Sequence, residues 1–348
     1  MLFLYLLIFC SLLFGLSVKR SGFFKDFLDK KQTDAVKGVF IWMVFISHIQ
    51  QEIIKSGCHF VRFVDCAGDR IDSEFGQLIV VMFLFYSGYG VMESMKGKGR
   101  VYLDSFPRRR LLTTILNFDV AVLCFIVMNL LMGIQQDFRL IGWSLIGWKS
   151  VGNSNWYIFV ILYCYFVSWI SGKYLSGSVI KVAVMTTFLV LIGEVALSVL
   201  KQGQHWWHDT ILCYPVGMCF SCFKDAITSF LKRFYLPVFG LLLAMFLFLH
   251  FQSRIPSFGG LTYNLKGIAF AFLIVLTTMK VKTGNRFLYW SGLSVFPIFI
   301  YQRLPMLAFR HWIGDSWVCE NPYLYVLLVS VCTGCIAYCY KYWQIKFQ

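Results

Sequence analysis

Runs of about 20 apolar residues recur from one end of this chain to the other, and no other feature limits its fold so tightly. A helix rises 1.5 Å per residue, so a run of that length crosses the ~30 Å hydrocarbon core of a bilayer. Runs of this kind fall at 1–18, 36–54, 76–95, 111–134, 154–172, 179–200, 207–223, 235–251, 261–279, 287–309 and 322–340. The expected fold class is therefore all-α, a polytopic transmembrane bundle of about eleven spans. Composition agrees: 58% of the 348 residues are hydrophobic and 14% charged, against about a quarter charged in a soluble domain. The shorter amphipathic stretch 133–149, with Trp143 and Trp148, is predicted to lie at an interface.

The net charge of +15 does not point to nucleic acid, because the basic residues sit in short loops between apolar runs. Lys and Arg so placed set topology. Loops of one parity, including 19–31 and 96–110, hold 21 of them. The other parity holds eight: Lys55, Arg62, Arg70, Arg139, Lys149, Lys201, Arg254 and Arg310. The bias places the first set in the cytoplasm, the N-terminus outside and the C-terminus inside. A cleaved signal peptide is not expected at 1–18, since nothing basic precedes the apolar run and the basic 19–31 loop would be left outside.

Nine of the twelve cysteines lie within apolar runs, where the thiol behaves as a small hydrophobe. The CxxC pairs Cys219/Cys222 and Cys332/Cys335 fall inside predicted spans without companion ligands, so no metal is expected. Cys58 and Cys66 share one polar loop and would be able to pair if that loop faces an oxidising compartment.

Ionisable groups within spans are costly unless paired or facing water, which makes His48, Asp119, Glu194, Lys266 and Arg303 functional candidates. His48 lies ~16 Å beyond Lys37 along its helix, and the topology puts His48, Glu194, Lys266 and Arg303 in the outer half. Charge pairing that locks helices, such as Glu194 with Lys266 or Arg303, is the plainer account of those three. His48 differs, because Ser47, Gln50 and Gln51 surround it with polarity that suits a wet cavity, where His serves as acid or base near neutral pH. Asp119 reads as a snorkelling or helix-paired carboxylate of the inner half. Two further elements have two readings each. Phe106-Pro107-Arg108-Arg109-Arg110 is a topology anchor or a clamp for phosphate. Ser87-Gly88-Tyr89-Gly90 is a close-packing site or a helix break around a ligand.

Taken in order, these elements resemble the membrane acyltransferase-3 family. Lys37 through His48 is similar to its basic-X10-His signature, and Phe85-Tyr86-Ser87-Gly88-Tyr89-Gly90 to its Phe-x-Ser-Gly-Phe helix. Phe106 to Arg110 resembles its arginine-rich element, Asn155-Trp156-Tyr157 the start of a middle span, and Gly292-Leu293-Ser294-Val295-Phe296 with Ile300-Tyr301 a late Gly-x-Ser-x-x-Ile-Tyr stretch. The chain departs where many members carry His after that Ile-Tyr and this one has Gln302-Arg303, and where the usual Arg-x-x-Arg is a tight triplet.

The resemblance implies a ten-helix catalytic domain over 36–348, preceded by an extra N-terminal helix and loop over 1–35. It implies transfer of an acyl group, often acetyl from acetyl-CoA, to a hydroxyl of an extracytoplasmic polysaccharide or its lipid-linked precursor, in a bacterial plasma membrane. On that reading Arg108, Arg109 and Arg110 hold the CoA phosphates, and Ser87 and Gly88 admit the pantetheine arm. His48 is the general base or a transient acyl carrier, with Lys37 assisting on the donor side. Asn155, Trp156, Glu194, Lys266 and Arg303 line the acceptor site. The partners expected are the glycan and membrane lipid, with no nucleic acid; a homodimer is left open. The alternative is a polysaccharide exporter, which needs the same polar outer cavity without acyl chemistry. A glycan polymerase fits less well, since no loop is long enough to carry the large outer domain such enzymes use.

Overall fold

The computed structural model describes residues 2–58, 63–175, 177–253 and 259–347. Arg62 and Arg254, counted above among the outer basic residues, and Met1 of the first apolar run lie outside the described residues. The chain is helical almost throughout. In order it forms α1 (Leu2–Leu13), α2 (Lys30–Lys55), α3 (Phe63–Phe75), α4 (Leu78–Phe106), α5 (Thr113–Leu131), α6 (Phe138–Leu145), α7 (Trp156–Leu175), α8 (Val179–Leu200), α9 (Cys213–Cys222) and α10 (Lys224–Arg233). There follow α11 (Tyr235–Gln252), α12 (Gly259–Lys280), α13 (Arg286–Leu293), α14 (Val295–Tyr301), α15 (Arg303–Ile313), α16 (Asp315–Glu320) and α17 (Pro322–Trp343). Two short strands, β1 (Leu16–Val18) and β2 (Val281–Thr283), pair antiparallel with Leu16 opposite Thr283.

Large apolar side chains stand exposed along several helices, among them Leu123 and Val127 of α5, Val184 and Val195 of α8, and Leu236 and Leu241 of α11. Patches of that extent are rare on soluble monomers, and a lipid solvent explains them: this is a multi-pass membrane protein.

Among the described residues six helices are long and apolar enough to cross a membrane, or seven if one bent pair is a single span. Several expected spans take other forms. The 1–18 run yields α1, whose 12 residues fall short of the ~20 that a crossing needs; the chain turns at Gly15 and continues into β1. The 207–223 run yields a 10-residue α9, because residues 205–212 form a polar turn with a short 3₁₀ segment at its start. The 287–309 run is bent by 67° between α13 and the helices that follow. The 66-residue run Cys66–Leu131 is far longer than one crossing. Gly76 and Gly99 bend it at φ of 45° and 51°, values that L side chains rarely adopt. Length and composition thus support six or seven crossings and do not establish eleven.

Two helix contacts place the site. A Cβ on Gly38 of α2 would overlap the Leu288 carbonyl of α13, and one on Gly292 would overlap the Asp34 carbonyl. Glycine at both positions lets the two backbones meet. Trp42 donates its indole N–H to Ser291 Oγ at 2.8 Å across the same contact. Gly88 of α4 meets the Tyr214 carbonyl of α9, and Gly217 meets that of Phe85. The Ser87–Gly90 stretch is therefore unbroken helix in close packing, not a break around a ligand; the non-helical residue in α4 is Gly99.

Candidate active site

Along α2, His48, Gln51, Glu52 and Lys55 recur at i, i+3, i+4 and i+7, the spacing that puts residues on one helix face. Lys37 shares that face: eleven residues make about three turns. The C-terminal part of this face borders a cavity of about 450 Å³, lined by His48, Gln51, Lys55, Asn155, Trp156 and Arg303, with Gln77, Trp206 and the 150–154 turn completing the wall. Four of the residues singled out in the sequence, His48, Asn155, Trp156 and Arg303, thus meet in one place although they come from α2, the turn before α7, α7 itself and α15.

His48 is half-buried. Its Nδ1 is closed off from solvent with no hydrogen-bond partner among the described residues, and its ring lies 6.2 Å from that of Phe299. Arg303, Lys55 and Gln302 are the polar groups that act on it. Arg303 uses three of its five N–H donors. It donates to Glu52 Oε1 at 3.0 Å, Ser154 Oγ at 3.2 Å and Gln51 Oε1 at 3.2 Å. Glu52 is sealed from solvent and also takes Lys55 at 2.8 Å and Arg310 at 2.6 Å. Arg310 in turn pairs with Asp315 at 2.9 Å, and Ser56 donates to the same carboxylate oxygen at 2.9 Å. The Arg310 guanidinium and the Ser56 hydroxyl hold Asp315 below its ordinary value of 3.8. The Arg303 partner is therefore Glu52, not Glu194.

A turn builds the opposite wall. Asn153 Oδ1 accepts from the Val151 N–H at 3.1 Å, and Asn155 donates to the Gly147 carbonyl at 2.8 Å. These bonds fold residues 147–155 back over the start of α7 and present Ser154 to Arg303. Beyond the rim, Cys58 is disulfide-bonded to Cys319, which joins the end of α2 to α16. The bond takes Cys319 in place of Cys66, which the sequence had offered as a conditional partner.

Glu194 and Lys266 stand apart from this cavity's lining, in a neighbouring cluster. Glu194 Oε1 is 3.8 Å from His208 Nδ1, while Lys266 lies 3.7 Å above the Tyr263 ring and donates to Ser253 Oγ at 3.1 Å. Lys37 is about three turns from His48 towards the start of α2, paired with Asp34 at 2.6 Å. Asp119, read from the sequence as a snorkelling or helix-paired carboxylate, has an Oδ1 buried without a hydrogen-bond partner among the described residues.

Arg108, Arg109 and Arg110 occupy a π-helical turn, Pro107–Leu112, between α4 and α5. Arg110 lies 5.9 Å from the Tyr165 ring and Arg108 6.0 Å from that of Phe347; a wider turn of this kind often marks a functional position. Rings at two levels of α7 lie between this turn and His48. Tyr165 and Tyr157 are both on α7, Ser87 acts on the Tyr157 hydroxyl, and Tyr157 meets Phe299 at 5.4 Å, next to His48.

Sequence reasoning missed Glu52, Lys55 and Arg310. The helical spacing of Glu52 and Lys55 from His48 was the available signal. Arg310 carried none, since its bond to Glu52 joins positions far apart in sequence.

A family model described as an acyltransferase domain matches residues 31–341. No curated protein and no solved structure matches the chain.

Proposed function

Because the chain belongs to the acyltransferase-3 family, we propose that it transfers an acyl group, acetyl from acetyl-CoA, to a hydroxyl of an extracytoplasmic polysaccharide or its lipid-linked precursor at the plasma membrane. The observation that carries this reading is the cavity that gathers His48 with Arg303, Asn155 and Trp156. The rim supports its placement on the outer side, since disulfides such as Cys58–Cys319 persist in oxidising compartments.

In this mechanism the acceptor lies in the cavity, its apolar face against Trp156 and Trp206 and its hydroxyls toward Gln51, Gln77 and Asn155. His48 removes the proton of one hydroxyl as that oxygen attacks the thioester carbonyl carbon. Negative charge builds on the carbonyl oxygen, and Arg303 and Lys55 are the cations placed to meet it. Because Glu52 and Ser154 already fix Arg303, no reorientation is needed at that moment. The intermediate collapses as the C–S bond breaks, and CoA leaves as a thiolate that takes up the proton. At the inner end Arg108, Arg109 and Arg110 grip the donor phosphates, with Lys37 assisting on the same side. The acyl-bearing arm passes on the Ser87 side of α4, where Tyr157 and Phe299 must swing aside to admit it; Gly88 is closed off by the Tyr214 carbonyl and gives it no passage.

The donor half is tested by changing Arg108, Arg109 and Arg110 together to Gln. Charge-assisted contacts are worth about 1.5–3 kcal/mol each, so CoA affinity of the purified protein drops steeply while the protein stays in the membrane. Failed insertion with unchanged CoA affinity would make the triplet a topology anchor only.

A further inference from the structure

Next to the cavity, the turn between α8 and α9 carries a second cluster that the transfer mechanism does not use. His205, His208 and Asp209 each bring one ligand atom to within 4.8 Å of the others. His208 and Asp209 are buried and His205 is exposed, so the cluster opens to solvent on one side. His208 is only 5% exposed, and its Nδ1 is buried with no hydrogen-bond partner among the described residues. Two carboxylate oxygens face that nitrogen, Asp209 Oδ1 at 3.7 Å and Glu194 Oε1 at 3.8 Å.

Those separations are too long for hydrogen bonds and close to what a shared ion imposes. Two bonds of ~2.1 Å meeting at a tetrahedral angle hold their donors ~3.4 Å apart, a few tenths of an ångström less than found here. Imidazole and carboxylate together are the ligand set of zinc-type sites. Lys266 is the competing account, because its ammonium acts on Asp209, although its Nζ is engaged by Ser253 and the Tyr263 ring.

We propose that His205, His208 and Asp209 bind a first-row divalent cation of zinc type, with the Glu194 carboxylate beside His208 adding negative charge to the site. The expectation of no metal came from CxxC spacing alone, and the 207–223 run had been read as a span, which hid the pattern His205-x-x-His208-Asp209. Trp206 lies within this sequence and lines the transfer cavity, so a bound ion fixes one wall of the acceptor site.

The test uses the full chain in detergent micelles, stripped with chelator, reloaded with Zn²⁺ and analysed by elemental mass spectrometry. Wild type retains about one equivalent, and Zn²⁺ raises its melting temperature. His205→Ala, at an exposed position where folding is not at risk, lowers Zn²⁺ affinity about tenfold or more and abolishes the thermal shift. His311→Ala, at another exposed histidine, retains the ion. Absence of retained Zn²⁺ in wild type, or equal retention by His205→Ala, overturns the proposal and leaves Lys266 as the counter-charge of Asp209. The readout is metal content, so it stands or falls independently of acyl transfer.

Discussion

A carboxylate shut away from solvent is costly unless cations meet its oxygens, and Glu52 meets three: Arg303, Arg310 and Lys55. They are not equivalent. The side chains of Arg303 and Arg310 are 16% and 17% exposed and that of Lys55 is 55% exposed, so the arginines depend on Glu52 far more than the lysine does. Removing one partner of a buried pair costs about 3–5 kcal/mol, whereas an exposed pair contributes about 0–1 kcal/mol. Glu52→Gln is therefore expected to lower unfolding stability in micelles by several kcal/mol, and Lys55→Met by at most about 1 kcal/mol. Equal losses would show that the buried network is not what holds Arg303. At the solvent end of the network, Asp315 is an acid held below its ordinary value of 3.8 by Arg310 and Ser56. Its contribution is fully present above that value and is lost as pH falls through the lower folded value. Hydrogen-exchange protection in α16, corrected for the intrinsic pH dependence of exchange, should fall below about pH 4 in the wild type, and this step should vanish in Asp315→Asn.

Between helices, the α2–α13 contact decides where His48 sits. Gly292→Ala forces a methyl into the Asp34 carbonyl, and overpacking of this kind costs about 1–3 kcal/mol. Gly334 of α17 has nothing within 4 Å of a Cβ, so Gly334→Ala should leave thermal stability unchanged. Comparable loss in both variants would mean that the α2–α13 approach is not tight. Much of this architecture was legible in the sequence. Helical class and lipid exposure followed from apolar run length, the choice of His48 and Arg303 from the cost of ionisable groups within spans, and that of Asn155 and Trp156 from the family resemblance; the structure gathers these four around one cavity. What escaped depends on distant pairing. Cys319 was the third cysteine outside the apolar runs, yet its bond to Cys58 spans 261 positions, beyond any spacing argument. The Ser87–Gly90 stretch allowed packing or a break, and only the position of Tyr214 against Gly88 decides for packing. Span counting is not supported where a run was apolar but interrupted, as in α1 before β1 and in α9 after its polar turn.

For the molecule as a whole, the account needs two ends with different chemistry, a basic inner end for the donor and a disulfide-closed outer end for the acceptor. An impermeant thiol reagent applied to intact cells should label a cysteine introduced at Lys98 only after permeabilisation, while one introduced at Arg70 should react without it. Labelling of the Lys98 position in intact cells would invert the orientation and the proposed donor route with it. The central claim is that the His48 cavity performs the transfer, and His48→Gln tests it most directly, because Gln keeps hydrogen bonding and approximate volume but takes no proton at neutral pH. Acyl transfer from radiolabelled acetyl-CoA to the surface glycan, measured in membranes with matched protein levels, should fall about 10²–10⁴-fold while CoA binding and melting temperature stay near wild type. Transfer at near-normal rates by His48→Gln would contradict the account and leave His48 a structural residue of α2.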